Sequence, residues 1–272
     1  MRPHGATAVD PDREARRFVR NNPLASLHRF ITRHVPPVTG WIIIANVFVF
    51  LFQYLILVPF NALDRSILLF SQIPYMAVQK MQVWRFVTYM FLHGSGTHLI
   101  FNMLALFFFG RGLESFWGWR RFLRFYLICG IGAALFHALA VYVFGGKTVL
   151  PTGESVRGLQ IMIGASGAIY GILLAYAMLW PNTIVYLNFI IPMKIKYLVI
   201  IYGVISFMGS VGDSGGGISH VTHLGGLLTA FLYFLVVGFR RGSPGGFSRR
   251  RTTVKRYYRD SDGRIYVQYD EE

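Results

Sequence analysis

Acidic residues are scarce in this chain of 272 residues, where 12 Asp and Glu stand against 27 Lys and Arg. Cysteine is nearly absent. Cys129 is the only one, which excludes a disulfide framework and a thiolate metal cluster. Charge of either sign is thin, at 14% of residues, while 54% are hydrophobic and the mean hydropathy is +0.45. That balance excludes a soluble globular domain. The first residues show no early apolar core and no small-residue cleavage pattern, so no cleaved signal peptide is read there.

What the chain has instead is long apolar runs, and they predict an all-α polytopic membrane protein. Six spans are expected, roughly Val38–Phe60, His98–Leu113, Phe122–Phe144, Leu159–Trp180, Tyr197–Gly209 with flanks, and Ser219–Phe239. Pro192, Lys194 and Lys196 interrupt the run before the fifth. The domain reading follows: a basic extension at residues 1–37, a six-span domain at 38–239 and a basic tail at 240–272. The extension is expected to hold a short amphipathic piece around Leu24–Val35. Gly242-Ser243-Pro244-Gly245-Gly246 opens the tail, which reads as disordered or weakly structured.

The basic residues choose an orientation. Twenty-two of the 27 Lys and Arg fall in the two tails and the second and fourth connections, and five in the odd-numbered connections. The positive-inside rule therefore puts both termini in the cytoplasm. A formal net charge of +15 could suggest nucleic acid, but the excess sits in tails and juxtamembrane loops, where it sets topology and attracts anionic lipid. The expected partner is the bilayer, not nucleic acid. The expected home is the cell (plasma or inner) membrane.

Three predicted spans carry polar groups that hydrocarbon disfavours. The second begins with His98 and Asn102, the fourth holds Ser166 and Tyr170, and the sixth begins with His220 and His223. These three spans run in the same direction, so their polar groups fall within one to two turns of the same, outer face. His98 and Asn102 are four residues apart and share a helix face, as do Ser166 and Tyr170. Gly164 and Gly167 bracket the serine, and Gly225-Gly226 follows His223, so backbones can approach closely.

This set suits acyl transfer. A serine hydroxyl becomes a nucleophile when a base within ~3 Å takes its proton, and neutral histidine serves near working pH. Asn102, His98 and the Ser166 amide supply donors for an oxyanion. Of the 12 carboxylates, eight lie in the tails, and Asp64, Glu114, Glu154 and Asp213 all avoid the middle of a span. The expected unit is thus a Ser166–His223 dyad, with Tyr170 packed on the imidazole. Asp213 is the one carboxylate placed to reach back from a loop, and His220 is the alternative base. Taken singly, Ser166 also fits helix packing, and His98 with Asn102 could staple two helices. His93 and His137 receive no role. Trp84-Arg85 is expected to brace the first loop, and Glu114 and Arg111 to form end pairs or caps.

The motifs Trp84-Arg85, His98-x-x-x-Asn102, Gly164-Ala165-Ser166-Gly167 with Tyr170, and His223-Leu224-Gly225-Gly226 resemble, in order and spacing, the rhomboid intramembrane serine proteases. The resemblance covers roughly Val38–Phe239 and implies a six-transmembrane-helix bundle. It implies Ser166 as nucleophile and His223 as general base, with an oxyanion and substrate-binding set of Asn102, His98, Gly164 and Tyr170. It further implies transmembrane protein substrates cut after a small residue, and no metal, ATP or other cofactor. Where the family often repeats a glycine one turn after Gly226, this chain has Ala230.

Rival functions differ in what they require. A catalytically silent rhomboid-like binding or quality-control factor typically loses the serine or the histidine, and this chain keeps both. A transporter would show mid-membrane charges or inverted repeats. A zinc protease would show H-E-x-x-H, and an aspartyl protease a second intramembrane aspartate. None of these is present in the sequence. The oligomeric state is not legible.

Overall fold

The computed structural model describes residues 36–145, 147–149, 155–187, 190–211, 217–237, 256–259 and 265–268. The amphipathic piece expected at Leu24–Val35, Asp213 and most of both tails lie outside the described residues. The chain is mostly helical. Among the described residues, four helices are long and apolar enough to cross a membrane: α1 (Pro37–Leu57), α3 (Gly96–Trp117), α4 (Trp119–Phe144) and the His220–Val237 stretch of α7 (Gly217–Val237). Two shorter apolar helices lie among them, α5 (Ser166–Leu179) and α6 (Ile195–Val211). The protein is therefore membrane-embedded and multi-pass.

The helices sort their residues as lipid requires. Phe48, Leu139, Phe144 and Val236 are exposed on the outside, while Tyr89, Phe122, Phe125 and Tyr126 fill the interior. A continuous apolar exterior of this kind marks a surface whose solvent is hydrocarbon. At the centre, α7 packs against α4, α5 and α6. Gly118, at φ 79°, ends α3 and lets α4 turn back after a single residue.

The first connection is a folded insertion between α1 and α3. It contains α2 (Leu63–Phe70), a wide π-helical turn at Tyr75–Gln79 and helical turns at Arg85–Thr88 and Tyr89–Phe91. Arg85 is buried and donates through Nη1 to Ser71 O (2.7 Å) and through Nε to Gln82 Oε1 (2.7 Å), while Trp84 Nε1 donates to Leu69 O (3.2 Å). The expected bracing role of Trp84-Arg85 is thus seen as hydrogen bonds across the loop.

Two expectations need correction. The all-α reading overlooked three antiparallel hairpins among the described residues: β1 (Lys147–Val149) with β2 (Ser155–Arg157), β3 (Ile184–Leu187) with β4 (Ile191–Lys194), and β5 (Arg256–Arg259) with β6 (Ile265–Gln268). Runs such as Ile-Val-Tyr-Leu and Ile-Tyr-Val-Gln are rich in β-formers, and the last pair gives the tail local order. Nor does the fourth span begin at Leu159. Residues 159–165 are not helical, and the helix starts at Ser166.

Helix α1 shows how one carboxylate sets an element in place. Pro37 opens it at a position where its missing N–H costs nothing. The next donors are met from another helix: Glu114 of α3, fully buried, accepts from Val38 N (3.0 Å), Thr39 N (2.7 Å) and Thr39 Oγ1 (2.7 Å). Glu114 is a cap, as one of the two sequence alternatives held. Replacing it with alanine strands three donors in the interior. Glu114→Ala should lose about 2–4 kcal/mol of stability, read as an earlier transition when the protein in detergent micelles is titrated with SDS and followed by circular dichroism.

Candidate active site

Two residues in the segment before Ser166 reverse the chain's ordinary handedness. Gly158 has φ 92° and Gly164 has φ 114°, both conformations that favour glycine. Between them the chain runs extended and is pinned to the first connection. Gln72 N donates to Met162 O (3.0 Å), Met162 N donates to Gln72 O (2.9 Å), and Gly164 N donates to Tyr89 O (2.9 Å). The helix α5 then begins with Ser166 as its first residue. Its first backbone bond runs from Ile169 N to Ala165 O (3.1 Å), so the N–H groups of Ser166, Gly167 and Ala168 are unused by the helix. These amides and the positive end of the helix dipole surround the serine.

His223 reaches the serine from α7. Its Nε2 lies 3.0 Å from Ser166 Oγ. The approach depends on absent side chains, because a Cβ on Gly226 would collide with the backbone carbonyl of Gly167. Ala230, in place of the second glycine, is fully buried, so the small-residue seam continues. The ring of Tyr170 stacks on the imidazole, with centroids 4.1 Å apart and planes 5° from parallel. The other imidazole nitrogen, Nδ1, is buried and has no hydrogen-bond partner among the described residues. His220 points elsewhere. Its ring fills the space over Gly209 of α6 and meets His223 only edge-on, at 6.3 Å between centroids.

His98 and Asn102 lie close to Gly164, two residues before the serine. Ser95 caps α3, its hydroxyl accepting from His98 N (3.1 Å), which fixes where that helix starts and hence where both side chains fall. The point a Cβ at Gly164 would occupy is 2.7 Å from His98 Cε1, 2.8 Å from His98 Nε2 and 3.9 Å from Asn102 Nδ2. Only glycine fits there. Asn102 is buried, and its Nδ2 has no acceptor among the described residues, so one amide donor is held ready. Ser166, Asn102 and Tyr170 all border an open cavity of about 670 Å³ between α3, α5 and α6. Ser166, His223, Tyr170, Gly164, His98 and Asn102 are therefore close together.

A neutral imidazole at this distance can accept the hydroxyl proton, and the facing donors can meet a negative oxygen. The chain matches the family model described as Rhomboid domain over residues 80–240. The chain belongs to the rhomboid family. It is 32% identical to Rhomboid protease AarA of Providencia stuartii over 70% of this chain and 69% of that protein. It is also 30% identical to RHOMBOID-like protein 1 and 31% identical to RHOMBOID-like protein 4, both of Arabidopsis thaliana. Those matches cover 64% and 61% of this chain, but only 41% and 39% of the plant proteins.

Several supporting residues had escaped sequence reasoning. Tyr89, fully buried, donates through its hydroxyl to Gly130 O (2.7 Å) while its carbonyl holds Gly164. Thr222, next to His223, donates to Met162 Sδ (2.8 Å), joining α7 to the pinned segment. His137 of α4, left without a role, is bonded through Nδ1 to Gln72 Oε1 (2.6 Å). The polar pair Ser71-Gln72 in an otherwise apolar stretch was the one available signal.

His93, also left without a role, is buried in the loop with its ring edge-on to His98, centroids 4.9 Å apart. Burial, and then the neighbouring His98, push its pKa down from 6.5 to about 4. Between those values the unfolded chain binds a proton that the folded His93 refuses, so stability falls as pH drops from 6.5 towards 4. The thermal midpoint in detergent should decrease from pH 7 to pH 4.5, and decrease less in His93→Phe. An equal decrease in that variant would assign the pH dependence to other groups.

Proposed function

We propose that this chain is an intramembrane serine endopeptidase that hydrolyses peptide bonds in or beside the transmembrane segments of membrane proteins. The observation that carries this reading is the 3.0 Å contact between His223 Nε2 and Ser166 Oγ, with Tyr170 stacked behind the imidazole and an open cavity in front of the hydroxyl. In this reading the neutral imidazole accepts the proton as Ser166 Oγ attacks the scissile carbonyl carbon. The negative oxygen that forms turns towards the Ser166 amide, Asn102 Nδ2 and the His98 ring. His223 returns the proton to the departing amine, leaving an acyl-enzyme on Ser166. A water molecule, activated by the same imidazole, then releases the acid and restores the hydroxyl.

Each remaining residue has a part. Tyr170 fixes the plane of the ring, so the base needs no carboxylate to orient it. Gly164 keeps the space between Ser166 and the donors free of a side chain. α5 and α6 complete a six-span bundle with the four long helices, and both termini lie on the cytoplasmic side of the cell membrane, as the bias of basic residues favours.

The experiment uses purified protein and a labelled transmembrane substrate in vesicles. Ser166→Ala and His223→Ala should each lower kcat/KM at least about a thousandfold. Asn102→Ala should cost less, about a hundredfold, since other donors share the oxyanion. A fluorophosphonate should label Ser166 in the parent and fail on His223→Ala. Undiminished cleavage by both dyad variants sinks the reading, and loss of activity in His220→Ala alone moves the base by one turn.

A further inference from the structure

The cavity that starts at Ser166 does not end near it. Along α5 it is bordered by Ser166, Tyr170, Leu173 and Tyr176, a single face of the helix. It then continues onto Thr183, Ile184, Val185 and Tyr186, at the start of the β3–β4 hairpin. α5 has 14 residues, so at ~1.5 Å per residue the hairpin lies about 21 Å from the serine along the helix axis. The groove is mostly apolar, and it runs for much of the ~30 Å of a bilayer's hydrocarbon.

The hairpin is held by one face and offers the other. Its base is fixed by Thr183 N to Trp180 O (3.1 Å) and by Ile195 N, of a fully buried residue, to Thr183 O (2.9 Å). Val185 and Met193 pack on the core. The alternate residues Ile184 and Tyr186 are 62% and 63% exposed. Strand alternation explains the two faces. It does not explain why the free face, at the end of a groove leading to a nucleophile, carries an isoleucine and a tyrosine.

We propose that the β3–β4 hairpin is a specificity element: Ile184 and Tyr186 receive the part of a transmembrane substrate that lies farthest past the scissile bond. The proposal rests on the proteolytic reading of Ser166. Its occupant is the apolar helix of the substrate, which fits the apolar groove and is continuous with the peptide at the serine. A helix lying along the groove reaches the hairpin with about 14 residues beyond the cut, the number that spans ~21 Å. A segment half that length stops short of it.

The test uses two synthetic transmembrane peptides in phosphatidylcholine vesicles, each with an Ala–Gly junction. In one a Leu-rich helix continues for 14 residues past the junction, and in the other for seven. Ile184→Ala and Tyr186→Ala, both at exposed positions, should raise KM for the long peptide severalfold, and the double variant about tenfold, as expected from apolar area lost from the contact. Neither change should alter KM for the short peptide. An unchanged KM for the long peptide overturns the proposal, and so does an equal rise for both peptides, which would mark general damage to the fold. Fluorophosphonate labelling of Ser166 in the parent separates the two readings: if it fails, proteolysis itself is lost, whereas labelling with no length-dependent effect removes only the role of the hairpin.

Discussion

Everything near the serine depends on how closely two backbones can touch. α7 lies against α5 where Gly226 faces the carbonyl of Gly167, with no room for a single carbon atom between them. Had either helix carried an ordinary side chain there, the axes would separate and the imidazole would leave hydrogen-bonding range. In a lipid solvent no hydrophobic force pulls helices together, so close packing of small residues has to do it. The interaction between His223 and Ser166 is thus a consequence of helix packing, and Ala230 extends the same seam one turn further.

The second requirement is a serine at a helix start and not within a helix. A hydroxyl in mid-helix would face side chains from its own turns, and its amide would be committed to a carbonyl four residues back. Here the non-helical segment from residue 159 to 165 delivers the chain to Ser166 with its amide uncommitted. That segment is unusual for a membrane protein, since bare backbone is costly in hydrocarbon. It is tolerated because Gln72 and Tyr89 of the first connection supply its hydrogen bonds. The folded first connection thereby lends the site a wall of protein where lipid would otherwise stand.

The sequence located the candidate site residues more clearly than it located the backbone that holds them. Ser166, His223, His98, Asn102 and Tyr170 were legible because polar groups in apolar runs are rare, and because the expected topology gave their three spans one direction. Helical spacing then predicted which pairs share a face. The break before Ser166 was not legible, because Leu159–Ile163 is as apolar as the helix that follows, and a run of hydrophobic residues does not distinguish a buried extended segment from a buried helix. In sequence Glu114 fits a cap or an ion-pair partner equally, because the α1 donors it accepts from lie about 75 residues away along the chain. Two of the described hairpins fell inside connections whose ends, but not whose pairing, were visible, and the third fell in the C-terminal tail.

The shortness of α5 has a consequence for the surrounding lipid. At ~21 Å it falls about 9 Å short of typical hydrocarbon thickness. A lone helix of that length would force the bilayer to thin or would tilt its neighbours. α5 packs against the longer helices α4 and α7, with the segment before Ser166 and the β3–β4 hairpin at its two ends, so protein can fill the height that the helix leaves short. The bundle can therefore keep one terminus of a dipolar helix deep in an oily slab without deforming the slab, and it does so with protein in place of headgroups.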